Sequence, residues 1–181
     1  MIMNKALLLV ILFLLAGCGY VSQDNTYSTS DIFVAPVVNE IKITQEGRLY
    51  RDYKAYPRLI ENRLTSALVR RFNIHGGLRA QAAGDNQLKL VCAVTKYEKN
   101  VLQYADEDKG GVRDDIKQQR LNLCVSCKLY DIDGKIIKER EVSGTVDYYL
   151  TGPQAKSEDS AWVELIEDTS RRISEFVLEN W

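Results

Sequence analysis

Arg120-Leu121-Asn122-Leu123-Cys124-Val125-Ser126-Cys127-Lys128-Leu129 alternates polar and apolar residues without a break, and Asp133-Gly134 follows shortly after. Successive side chains of a strand point to opposite faces. Leu121, Leu123, Val125, Cys127 and Leu129 therefore share one face. Arg120, Asn122, Cys124, Ser126 and Lys128 share the other. Such alternation means one packed face and one wet face, the habit of an antiparallel sheet. Asp-Gly is a strong hairpin signal. A two-residue turn at Asp133-Gly134 sets Val125 opposite Val142 and Leu121 opposite Val146 on the core face. It also sets Arg120 opposite Asp147 on the wet face, a favourable cross-strand pair. Turn chemistry and burial pattern point to the same register.

Upstream, Leu88, Leu90, Cys92 and Val94 mark a strand over 88–98, joined to 117–130 by a charged loop, 100–115. Ahead of it, Ile60, Leu64, Leu68 and Phe72 recur at steps of four, which is an amphipathic helix stopped by Gly76-Gly77. Pro57 suits that helix's first turn, where its missing N–H costs nothing. Ile32-Phe33-Val34-Ala35 reads as a strand that Pro36 confines to an edge or an end. Between them, 38–56 is a long connection, with Ile41 and Ile43 as the only hint of a short strand. After Gly152-Pro153, Ser157 or Ser160 caps a closing helix. Its stripe is Trp162, Leu165, Ile166, Thr169, Ile173, Phe176 and Val177, with Trp181 at the end. The expected fold is α/β of the α+β type. It is a two-layer sandwich, a four-stranded, mostly antiparallel sheet with two amphipathic helices on one face, in the order β-α-β-β-β-α.

Composition narrows the function. Hydrophobic residues at 45% with 27% charged describe a globular chain rather than a disordered one. A formal net charge of −1 argues against nucleic acid, whose binders carry a basic stripe or patch. Cys124 and Cys127 lie three apart in one strand, so they face opposite ways. No second Cys/His pair accompanies them, and no metal site is expected. Cys92 and Cys127 fall on the same core face and a hairpin brings them near each other, as a disulfide or as two buried thiols. His75 is the only histidine. Histidine relays are thereby excluded, G-x-S-x-G is absent, and no catalytic residue is expected. The acidic residues 106–108 and 114–115 lack calcium-loop spacing. Lys96, Lys99, Arg113, Lys117 and Arg120 flank the same loop and as a group suit phosphates. Tyr50, Tyr53, Tyr56, Tyr97, Tyr104, Tyr148 and Tyr149 form a second candidate surface, since tyrosine is enriched at interfaces.

The N-terminus carries another kind of information. Lys5 precedes an apolar run from Ala6 to Leu15, the layout of a bacterial export signal. The run is too short for a spanning helix, which needs about 20 residues. Leu15-Ala16-Gly17-Cys18 resembles the lipobox of bacterial lipoproteins. The resemblance implies a signal peptide over 1–17 and an acylated Cys18, carrying diacylglycerol and N-acyl lipid and no other cofactor. Acyl chains contribute about 0.8 kcal/mol per buried methylene, and more than one chain anchors stably. Residues 18–30 read as lipidated cysteine and polar tether, and 31–181 as a single periplasmic domain.

Taken along its length, the chain resembles the lipopolysaccharide-assembly lipoproteins, the LptE family. The resemblance runs through Ala16-Gly17-Cys18-Gly19-Tyr20, Ile32 to Asn39, Arg70-Arg71-Phe72, Thr95-Lys96-Tyr97 and Leu129-Tyr130-Asp131. It continues through Val142-Ser143-Gly144, Tyr148-Tyr149 and the helix from Ser157-Glu158 to Trp181. It implies a lipid-anchored protein at the periplasmic face of the outer membrane. Such a protein plugs and supports assembly of an LptD-type β-barrel and assists lipopolysaccharide delivery. The implied partners are the barrel, lipopolysaccharide and the membrane's inner leaflet. Gly19, rather than aspartate, resembles an outer-membrane sorting signal. Glu40–Tyr56 is longer than the family's usual link. The alternative is another periplasmic lipoprotein adaptor, of the secretion-pore or cell-wall-synthase activator type. A lipid-anchored enzyme is disfavoured by the sparse nucleophile and histidine inventory.

Overall fold

The computed structural model describes residues 29–41, 57, 59–75, 77–104 and 116–179. The order is β1 (Asp31–Val34), β2 (Val38–Asn39), α1 (Ile60–His75), β3 (Arg79–Ala80), β4 (Leu88–Tyr104), β5 (Ile116–Tyr130), β6 (Ile136–Tyr149) and α2 (Glu158–Leu178). The expected signal peptide, Cys18, Arg113, the acidic residues 106–108 and 114–115, Tyr50, Tyr53, Tyr56, Ile43 and Trp181 lie outside the described residues.

The β5–β6 hairpin has the expected register from Gln118↔Tyr149 to Leu129↔Lys138, including Val125↔Val142, Leu121↔Val146 and Arg120↔Asp147. The turn itself differs. Gly134 N–H donates to Asp131 O at 3.1 Å and Asp131 N–H to Lys135 O at 2.9 Å, so the loop is Ile132-Asp133-Gly134 rather than two residues. Gly134 takes φ +76°, the left-handed value that a three-residue hairpin loop requires. A register shift between Leu129 and Tyr130 then restores the pairing that a two-residue turn would have produced. The shift acts as a bulge, giving β6 one extra residue, and it keeps Val142, Val146 and Tyr148 on the core face.

The sheet is larger and more mixed than expected. It has six strands rather than four, in the order β3-β1-β4-β5-β6, with β2 also pairing β4. β4, β5 and β6 are antiparallel, but β1 and β2 run parallel to β4, and β3 runs parallel to β1. The parallel pairing follows from connectivity, because a chain that leaves β1 and returns through a helix arrives in the same direction. β1 is an interior strand, and Pro36 comes after its end. β2 and β3 have two residues each, too short for alternation to announce them.

α1 begins at Ile60, not at Pro57, because Leu59 takes φ +63° and interrupts the helical backbone. Its buried stripe is Ile60, Leu64, Ala67, Leu68 and Phe72. α2 starts where Ser157, one of the two expected caps, accepts from the Ser160 N–H at 3.2 Å. All seven expected stripe residues from Trp162 to Val177 are buried, and the six apolar ones pack with Leu121, Leu123, Val125 and Leu129 into one core. Burying side chains of this size stabilises by about 1.5–3 kcal/mol each.

Candidate functional site

One bulge governs the geometry of the expected basic cluster. β4 does not end at residue 98 but runs on to Tyr104, with a register shift between Val94 and Lys96. Before the shift, Leu88, Leu90, Cys92 and Val94 face the helices. After it, Tyr97 and Lys99 do, opposite Leu123 and Leu121, while Lys96 faces outward opposite Cys124. Lys96 and Lys99, three apart, take opposite faces of the sheet, and the bulge decides that Lys96 is the outward one. Lys96 and Arg120 lie on the open face. There Lys96 pairs with Glu98 at 2.8 Å, and Arg120 clamps Asp147 with two hydrogen bonds of 2.6 and 2.7 Å. Donating hydrogen bonds to these carboxylates raises both cations above their ordinary pKa. Lys99 lies on the helix side and reaches Glu158 in the first turn of α2 at 2.8 Å. Lys117 is half-buried, and its carbonyl accepts from the Leu150 N–H at 3.0 Å. Arg113 is among the residues not described.

Around Lys99 a polar knot joins the far end of the sheet to the start of α2. Tyr148 is 1% exposed and donates to Gln119 at 2.6 Å, and the Tyr97 ring lies 4.8 Å from that of Trp162. Burial pushes both tyrosine hydroxyls up from their ordinary pKa, so they remain protonated. Of the expected tyrosine surface, Tyr148 is therefore core. Tyr104 is exposed and Tyr149 half-buried.

Cys92 and Cys127 stand directly opposite each other in β4 and β5, with Cα atoms 4.3 Å apart and sulfurs bonded. Cys124 is free, half-buried on the other face of β5. Burial and the nearby Glu141 raise its thiol pKa. A raised thiol is a poor nucleophile. Among the described residues no group of three or more His, Cys, Asp or Glu is placed to hold a metal, and no helix is long and apolar enough to cross a membrane.

Two contacts not anticipated from the sequence fix α2. The Lys138 ammonium donates to the carbonyls of Phe176, Val177 and Glu179, and Arg140 pairs with Glu179 while lying 5.2 Å over the Phe176 ring. Cations at a helix C-terminus oppose its negative dipole end. Their even-numbered positions, shared with core-facing Val142, were the readable signal. On the outer side of the helices a groove of about 520 Å³ runs between Leu59, Arg63, Ala67 and Arg70 of the α1 side and Val163, Ile166 and Glu167 of α2. Arg70 and Arg71 both engage Glu167 across it.

No protein-family profile matches the sequence, and no curated protein does. Solved structures do. The fold is similar to that of an uncharacterized lipoprotein B from Nitrosomonas europaea, at 12% identity and TM-score 0.50, over 86% of each chain. A minor lipoprotein from Acinetobacter baumannii matches at 14% identity and TM-score 0.47, over 82% of this chain and 92% of its own. The rare lipoprotein B from Shewanella oneidensis matches at 11% and 0.42, over 80% and 90%.

Proposed function

We propose that the chain is a lipid-anchored, non-catalytic adaptor of the outer membrane. In this reading it plugs and supports assembly of an LptD-type β-barrel and assists lipopolysaccharide delivery. The observation that carries the proposal is Leu15-Ala16-Gly17-Cys18 placed ahead of a small two-layer domain. Similarity of fold to a lipoprotein supports it. The open sheet face fits an adaptor, because its charges are satisfied pairwise: Arg120 with Asp147, Lys128 with Glu139, Lys96 with Glu98. Exposed pairs of this kind contribute little to stability, about 0–1 kcal/mol each. They keep a flat surface soluble until a partner covers it.

The test is made in cells. Labelled palmitate should enter the wild-type protein and not Cys18→Ser, which should leave the membrane fraction. Crosslinking should recover a large outer-membrane barrel. Depletion should lower both the folded barrel and surface lipopolysaccharide. Normal barrel assembly and normal surface lipopolysaccharide after depletion would overturn the assignment, and recovery of a secretion pore or a cell-wall synthase instead would move it to a different adaptor class.

A further inference from the structure

At one corner of the open face the pairing of charges stops. Phe33, Lys89 and Tyr130 lie side by side across β1, β4 and β5, each in register with the next. Neighbouring strands are about 4.8 Å apart, so the two aromatic residues stand roughly 10 Å apart with the lysine between them. The row floors a hollow of about 440 Å³, walled by Ala83, Gly84 and Gln87 on one side and Asp131, Ile132 and Gly134 on the other. Both walls are held internally. The Gln87 amide, 8% exposed, donates to the carbonyls of Ala82 and Gly84 at 3.0 and 2.9 Å. Asp131 Oδ1 accepts from the N–H groups of Asp133 and Lys135 at 2.9 and 2.8 Å. What remains is unspent. Among the described residues the Lys89 ammonium makes no ion pair, and the Tyr130 hydroxyl and Asp131 Oδ2 make no hydrogen bond. Three other cations of the open face, Lys96, Arg120 and Lys128, are ion-paired.

We propose that this hollow is a saccharide-binding site, taking one pyranose ring over this row, against Phe33 and Tyr130. Aromatic faces are negative and attract the weakly positive C–H groups of a sugar face, while apolar ring and sugar face leave water together. Lys89 donates to sugar hydroxyls, Asp131 Oδ2 accepts from them, and Tyr130 does either. Adjacent hydroxyls each need a donor and an acceptor, and a lone charge of either sign would serve only one. A pre-formed hollow with aromatic side chains in its floor and a few convergent polar groups is the form small-ligand sites take. The inference goes beyond the adaptor role and does not depend on it.

The test uses the full lipidated chain in a zwitterionic detergent free of sugar. N-acetylglucosamine is the probe and glycerol the control for hydroxyls without a ring. Saturation-transfer NMR should show magnetisation passing to the ring C–H protons of N-acetylglucosamine and not to glycerol. Tyr130→Leu and Phe33→Leu should each weaken binding about tenfold, equivalent to ~1.4 kcal/mol. Lys89→Met, at an exposed position, should weaken it with the thermal melt unchanged, which separates lost binding from lost folding. Equal transfer to glycerol, or transfer that survives both Lys89→Met and Tyr130→Leu, would overturn the assignment.

Discussion

Gly144 of β6 lies directly beneath Thr169 of α2, so close that a Cβ at position 144 would overlap Thr169 Oγ1 and lie 2.9 Å from its Cβ. The neighbouring Thr145 N–H, on the outward edge of β6, is capped by Asp168 of the same helix at 3.1 Å.

Gly144→Ala is therefore expected to destabilise by overpacking, typically 1–3 kcal/mol, because the methyl forces α2 off the sheet. Denaturant unfolding measures it. Pairing it with Thr169→Ala should recover part of the loss, since Thr169 Oγ1 is the nearest clash but its Cβ and Cα remain. An additive double mutant would mean the two residues are not coupled.

The Cys92–Cys127 bridge closes a separation of 35 residues inside the core. Cys92→Ala with Cys127→Ala should lower stability by about 2–4 kcal/mol, mainly by freeing the unfolded chain. Unreduced protein should be lighter by two hydrogens in the mass spectrum. Native thiol titration should find Cys124 reacting slowly, because its pKa is raised by burial. Fast reaction at Cys92 or Cys127 in the native protein would contradict the bridge.

Acid should weaken the contact between helix and edge. Burial alone would raise the Asp168 carboxyl, but hydrogen bonds from Arg171, the Thr145 N–H and Arg172 outweigh it and hold its pKa below the usual carboxylate value. Asp147 is lowered likewise by hydrogen bonds from Arg120. A depressed folded pKa gives stability that is present above the unfolded value, ~3.9, and is lost as pH falls through the folded one. Melting temperature should therefore drop below about pH 4, and the drop should be shallower in Asp168→Asn. An identical acid limb in the variant would show that Asp168 does not carry the effect.

Lys138 satisfies three carbonyls at the end of α2. Lys138→Met keeps the stem's packing and removes the donors, so it should cost about 1–2 kcal/mol, and amide exchange should quicken first in the last turn of the helix. Uniform loss of protection across the chain would point to a packing effect instead.

The alternating strand and the stripe of α2 were legible because each depends on a period inside one short stretch, whereas the hairpin register matches because the bulge at Leu129 and Tyr130 offsets the third loop residue. Leu121 through Leu129 and Trp162 through Val177 can bury their apolar side chains in only one way, whatever lies elsewhere. The saccharide-site residues were not legible, because Phe33, Lys89 and Tyr130 come from three distant segments and each alone reads as an ordinary strand residue.

By itself the sequence determined two layers, two amphipathic helices, a serine cap at 157 or 160, and which face of β5 and β6 turns inward, since side-chain period is local. Only the tertiary structure decided that β1, β2 and β3 join as parallel strands, and that a bulge near Thr95 turns Lys96 outward and Lys99 toward the helices. Parallel pairing needs a returning crossover to define it. A bulge shows only when two strands are laid side by side, because one extra residue inverts every later side chain without altering the composition of the stretch.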